Sequence, residues 1–262
     1  RFRIVQREVV LEDIRQQVAA GAEHMTFGDP DFFNGIGHAI PLVQALHAEF
    51  PHLTYDVTIK IEHLLRYAEH LPTLRETGCV LITSAVEAVQ DRILHLLDKG
   101  HTCQDFFDAL ALCQQMGLNL NPTFVAFTPW TTLDDYIELL TVLATQDLIA
   151  HVSPIQLAMR LLLPAGSTLL ALPEMRPYLQ DFDASALTYR WVHPDTRVDQ
   201  LCDEALKLVQ SGEAETASRH EIFTRLWAAA HKAAGWLAPA VPEPVVAPRR
   251  GPIPYLDEPW YC

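Results

Sequence analysis

The sequence predicts an α/β fold built on parallel strands, on three observations. Amphipathic helical stretches and short apolar strand-like runs alternate between Val9 and Leu162, the row opens with a helix, and the alternation stops at Pro164. Strands separated by helices pair in parallel through right-handed crossovers. This pattern leaves the strand order undetermined, so a doubly wound sheet and a barrel both satisfy it.

The first helix is "VVLEDIRQQVAAGA", which places Val10, Leu11, Ile14 and Val18 on one face and closes on Gly21, a C-terminal cap. "HMTFG" follows as a short strand. "PLVQALHAEF" is the next helix, with Pro41 suited to its first turn and Pro51 stopping it. The β-branched run "LTYDVTIKI" is a strand. The helix "LLRYAEHLPTLRETG" tolerates Pro72 only with a bend or break. It leads into the strand "CVLITSAVE". "DRILHLLDKG" and "TCQDFFDALALCQQMG" are helices, the second capped by Thr102 with Asp105 in its first turn. "LNLNPTFVAF" is the fourth strand. "TTLDDYIELLTVLATQ" is a helix whose Thr132 and Asp135 resemble a capping pair, and "LIAHVSPIQLAMRLL" supplies a fifth strand and its continuation.

Beyond Pro164 the stretches "HPDTRVDQLCDEALKLVQSG" and "RHEIFTRLWAAAHKAAGWL" form a helical appendage. After Leu237, seven of the chain's eighteen prolines fall in a short, mostly polar tail, expected to be an extended linker. The expected organisation is a core over 1–163, an appendage over 164–237 and a Pro-rich tail over 238–262.

Composition narrows the function. Nearly half of the residues (49%) are hydrophobic, yet no apolar run reaches the roughly 20 residues of a membrane span, so a soluble protein is expected. The formal net charge is −14 with acids scattered along the helices. Phosphate binding needs clustered Lys and Arg, so DNA and RNA are not expected partners. The five cysteines, Cys79, Cys103, Cys113, Cys202 and Cys262, are odd in number, widely spaced and free of any C-x-x-C, as in a reducing cytosol. The chain starts on Arg1 with no methionine or signal peptide, and both ends read as cuts.

In parallel α/β proteins ligands bind at the C-terminal ends of the strands. The first such loop is "FGDPDFFNG": Gly28 lets backbone approach a ligand, Asp29 accepts from an ammonium or hydroxyl, and Pro30 fixes the exit. Any tight turn selects the same residues. After the second strand, Lys60 and Glu62 share a face at period-two spacing, as ligand contacts or as an exposed ion pair. The third strand ends with Ser84 and Glu87, where Glu87 also suits a helix start. The fourth offers Thr128, Pro129 and Trp130, for stacking a flat ring or for the edge of a core. The twelve histidines form no H-x-H or H-E-x-x-H, and no dinucleotide or Walker loop is present.

The order of these loops, from Gly28-Asp29-Pro30 through Lys60 and Glu62, Gly78-Cys79, Ser84 and Glu87, "LDKGHT" and "GLNLNPTFVAFTPWTTLDDY", resembles the core of radical SAM enzymes between about Leu11 and Leu148. The stretch "HVSPIQLAMRLLLPAGSTLL" followed by "PYLDEPWYC" resembles the group named for a Cys-Cys-Ala-Glu-Pro or Cys-Sec-Ala-Glu-Pro (CCAEP/CUAEP) tail. The resemblance implies a parallel-stranded partial (β/α)6 TIM-like barrel, here without its first strand. It implies S-adenosylmethionine, a 4Fe-4S cluster held by a C-x3-C-x2-C loop upstream of Arg1, and hydrogen abstraction by a 5′-deoxyadenosyl radical. No metal ligands are expected in this fragment.

By the same resemblance, Phe27, Gly28, Asp29 and Pro30 occupy the position of a Gly-Gly-Glu-Pro motif that binds the methionine ammonium. Phe27 replaces a glycine there, and Asp29 shortens a glutamate. Lys60, Glu62, Ser84 and Glu87 would face ribose and carboxylate, the Thr128 loop would face adenine, and Cys262 would begin a redox tail continued by selenocysteine or cysteine. The implied partners are a small-molecule or peptide substrate and an electron-donor protein, in the cytoplasm. Two other readings compete: a barrel that binds a nucleoside or peptide without radical chemistry, and an unrelated TIM-like enzyme, for which no acid-base pair stands out.

Overall fold

The computed structural model describes residues 3–246. These divide into two compact units, 3–86 with 103–122 and 87–102 with 123–246. Helices and strands alternate as α1 (Arg7–Ala19), β1 (His24–Thr26), α2 (Ile36–Glu49), β2 (Thr54–Thr58), α3 (Ile61–Arg66), α4 (Leu71–Glu76), β3 (Cys79–Glu87), α5 (Asp91–Leu96), α6 (Cys103–Gln115), β4 (Leu120–Phe124) and α7 (Leu133–Thr145). A hairpin, β5 (Leu179–Asp183) and β6 (Thr188–Trp191), then precedes α8 (Thr196–Ala214) and α9 (Arg219–Ala233).

The four strands β1 to β4 form one sheet in sequence order, with β1–β2 and β2–β3 parallel. Register sets Thr26 beside Asp56 and Thr58 beside Thr83. Period two then separates two faces. Tyr55, Val57, Ile59 and Ile82 are fully buried, and the Tyr55 hydroxyl meets Thr77 Oγ1 at the end of α4 at 2.7 Å, so this face packs on helices. The other face carries His24, Thr26, Asp56, Thr58 and Thr83. Each large apolar side chain buried against the helices contributes on the order of 1.5–3 kcal/mol.

Several expectations are met in detail. Leu11 and Ile14 are the buried residues of α1. Pro72 does break its helix: α3 ends at Arg66, and α4 restarts at Leu71 with Pro72 in its first turn, where no N–H partner is needed. Thr132 and Asp135 form a capping box on α7, each side chain accepting from the other's backbone N–H.

Others are corrected. α2 starts at Ile36, so Pro41 lies inside the helix and not in its first turn, leaving the Gly37 carbonyl without its usual donor. β2 stops at Thr58, and Lys60 begins α3, its carbonyl accepting from His63 and Leu64 N–H at 3.0 Å. Ile61 and Leu64, both buried, sit three apart, and this helical spacing overrides the β-branched run before them. Lys60 and Glu62 are therefore not paired along a strand. In place of a fifth strand there is a short 3-10 turn over Pro154–Ala158 and a single parallel bridge between Phe127 and Arg160.

The hairpin was not anticipated. Its turn closes through Asp183, whose carboxylate accepts from the N–H and hydroxyl of Ser185, with Leu187 at φ 54°. In the same unit Trp130, Leu163, Met175 and Trp191 share one core cluster. α8 and α9 approach closely at Gly212, where an added Cβ would lie 2.5 Å from Ile222. Among the described residues, no helix is long and apolar enough to cross a membrane.

Candidate functional site: charged groups at the C-terminal strand ends

The loop after β1 is anchored by aromatic packing. The Phe27 ring lies 5.0 Å from Phe32 and edge-on to Tyr55 at 5.5 Å, while its N–H donates to the Asp56 carbonyl at 3.1 Å. Phe27 thus turns its side chain towards the core and offers backbone to the loop. Asp29 is exposed, and its Oδ1 accepts from the Asp31 N–H at 3.0 Å. Pro30 is exposed, and a Cβ added at Gly28 would meet nothing within 4 Å. Phe27 and Asp29 line a cavity of about 150 Å³ with Val5, Val10, His38 and Leu42.

Asp31 was not singled out from the sequence, yet it organises this end of the unit. Its side chain is 4% exposed and lies 2.8 Å from His63 Nδ1 and 3.9 Å from Lys60 Nζ. Its Oδ1 also accepts from the Lys60 N–H at 3.4 Å. One buried carboxylate thereby ties the loop after β1 to the start of α3. The Lys60 side chain stays 58% exposed, with its ammonium at the strand end. Glu62 is in the first turn of α3, half exposed, 3.5 Å from His63 Nε2.

On β3, Ser84 is two residues from Ile82 and shares its face, fully buried, with a hydroxyl that has no hydrogen-bond partner. Thr83, in register with Thr58, lies on the opposite face. Glu87 ends the strand at φ 71°, a left-handed conformation that side-chain-bearing residues rarely adopt. Its carbonyl accepts from Val125 N–H at 3.0 Å, and its carboxylate receives Lys99 Nζ at 3.1 Å. Backbone strain of this kind, about 1–3 kcal/mol, persists where surrounding contacts impose it.

Thr128 is fully buried. Its N–H donates to Thr131 Oγ1 at 3.0 Å, the two hydroxyls lie 2.8 Å apart, and Trp130 N–H donates to Thr128 Oγ1 at 3.3 Å. This closed turn consumes the Thr128 hydroxyl. Trp130 belongs to the core cluster, with Nε1 donating to the Glu174 carbonyl at 3.3 Å, as the core-edge reading has it. Cys262 lies outside the described residues.

Among the described residues no group of three or more His, Cys, Asp or Glu can hold a metal ion. Burial pushes the Cys79 thiol up to about 12 and the Cys202 thiol up to about 11, away from the thiolate a metal needs. These residues do not fit a 4Fe-4S cluster. Asp29 and Lys60 place an exposed carboxylate and an exposed ammonium after β1 and β2.

No family model and no curated protein matches the chain. Solved structures do. The cobalamin-dependent S-adenosylmethionine radical enzyme OxsB, with aqua-cobalamin and S-adenosylmethionine bound, superposes with a TM-score of 0.69 at 16% identity, over 80% of this chain and 38% of that one. The same enzyme with aqua-cobalamin bound gives 0.68, and its apo form 0.66, over the same shares. The chain therefore spans 38% of the length of OxsB, and at this identity the likeness is one of fold: a parallel α/β fold similar to that of a radical SAM enzyme.

Proposed function

We propose that this chain supplies the S-adenosylmethionine-binding part of a radical SAM enzyme, folded as a partial barrel. The reading is supported above all by the likeness to OxsB across 80% of the chain, together with opposite charges standing exposed at the C-terminal ends of adjacent strands. With S-adenosylmethionine held by these residues and an electron delivered by a reduced cluster held outside the described residues, the chemistry available would be hydrogen abstraction from a substrate, either a small molecule or a peptide.

The chain's own residues bind and orient. Asp29 takes the methionine ammonium, Lys60 the carboxylate, and Asp31 holds the two loops in place through the Asp29 carboxylate and the Lys60 N–H. Glu62 addresses the ribose hydroxyls. The thiolates for the cluster would come from outside the described residues. An electron-donor protein, a cytosolic setting and the Cys262-tailed group complete the proposal.

Equilibrium dialysis with labelled S-adenosylmethionine tests this directly. The expected outcome is saturable binding, displaced by S-adenosylhomocysteine and not by ATP, and weakened about tenfold by Asp29→Asn or Lys60→Met, a loss of about 1.4 kcal/mol. Absence of saturable binding at millimolar ligand would overturn the reading.

A further inference from the structure

A second polar constellation stands at the opposite, N-terminal ends of β1 and β2. His24 Nε2 lies 2.8 Å from Asp56 Oδ1, and His24 Nδ1 lies 2.8 Å from Thr54 Oγ1. Thr26 Oγ1 donates to the same Asp56 oxygen at 2.7 Å, which fixes the carboxylate. The parallel register explains the meeting, because His24 sits beside Thr54 and Thr26 beside Asp56 on one face of the sheet.

Exposure is graded along the row. The Asp56 side chain is 4% exposed and His24 38%. His24 and Thr54 line an open cavity of about 640 Å³ with Val18, Glu23, Phe50 and His52, while Asp56 lies behind the imidazole. An ionised carboxylate only accepts hydrogen bonds, so Nε2 carries the proton facing Asp56. Nδ1 is then the acceptor, and the Thr54 hydroxyl donates to it. Its alternative acceptor, the Glu23 carbonyl, is farther, at 3.4 Å.

We propose that Asp56, His24 and Thr54 form an acyl-transfer site that takes small carboxylic esters, separate from the S-adenosylmethionine reading and independent of it. A buried acid orienting a base, and the base holding a hydroxyl at a cavity wall, is the arrangement that activates a weak nucleophile. Thr54 Oγ forms a bond to the acyl carbon as its proton passes to His24 Nδ1. The carbon–oxygen bond to the leaving alcohol breaks, and that alcohol takes the proton from His24. Water then repeats the sequence on the threonyl ester, releasing the acid and restoring the hydroxyl. Asp56 stays ionised throughout and holds the ring.

The test uses the full chain with p-nitrophenyl acetate, following nitrophenolate release and locating the acetyl group by peptide mass spectrometry. Acetyl on Thr54 is expected, with the release lost in Thr54→Val, retained in Thr54→Ser, and slowed about 100-fold in His24→Gln. Asp56→Asn, which presents an amide to Nε2 and disturbs the tautomer, is expected to slow it as well. Equal rates in the unaltered chain and Thr54→Val, or acetyl confined to lysines or to His24, would overturn the proposal. The serine variant keeps the test decisive should the valine variant fail to fold.

Discussion

The Asp31 carboxylate, 4% exposed, has the His63 ring at 2.8 Å and the Lys60 N–H at 3.4 Å on one side and lies two residues after Asp29 in the chain. Truncating it leaves the Lys60 backbone donor without an acceptor and removes the charge that the His63 ring and the Lys60 ammonium face, and a hydrogen bond to a charged group contributes about 1.5–3 kcal/mol. Asp31→Ala is therefore expected to lower the unfolding free energy by about 2 kcal/mol in urea denaturation, and Asp31→Asn by less, since it keeps one acceptor oxygen. An unchanged midpoint for the alanine variant would contradict this role. The sequence showed Asp29 because Gly-Asp-Pro marks a turn, but nothing local marks Asp31. Its partners come from α3, and only the fold brings them near.

At the scale of elements, the junction between α4 and β3 turns on Gly78. Its φ is 101°, a Cβ there would lie 2.6 Å from the Leu53 carbonyl oxygen, and its own carbonyl accepts from Tyr55 N–H at 3.0 Å. Gly78→Ala combines a left-handed penalty of about 1–2 kcal/mol with that backbone clash, so a loss of at least about 2 kcal/mol is expected by thermal or urea unfolding. A neutral alanine variant would show that the turn relaxes. Elements whose signals are local were legible: the Thr132–Asp135 box, the break at Pro72 and the apolar face of α1 all follow from spacing and caps. Where two local signals competed, the sequence misled. The β-branched run before Lys60 pointed to strand, yet the Ile61–Leu64 spacing and their burial made a helix. The β5–β6 hairpin escaped because its signal is a side-chain turn at Asp183 and not an alternating run.

For the whole molecule, the dense acidic charge carries a pH signature. The Ser185 hydroxyl and then Arg190 hold the Asp183 carboxyl well below its usual range, Arg197 holds Asp195 down to about 2, and Arg15 and Ser218 depress Glu49 and Glu221. Folded values below the unfolded ones, about 4, mean that their stabilisation is complete above about pH 4 and is lost as pH falls through the folded values, down to about 2 for Asp195. Glu213, raised by burial, works in the opposite sense. The urea midpoint is expected to hold from about pH 7 to pH 5 and to fall between about pH 4 and pH 2, modestly because these groups are exposed. A midpoint constant down to pH 2 would contradict it. The link made by Asp31 has a last consequence, in the currency of cooperativity. A ligand that orders the loop after β1 also steadies the start of α3, so its second charged group meets a partner already held. A ligand carrying both charges then binds more tightly than its two halves taken separately would suggest.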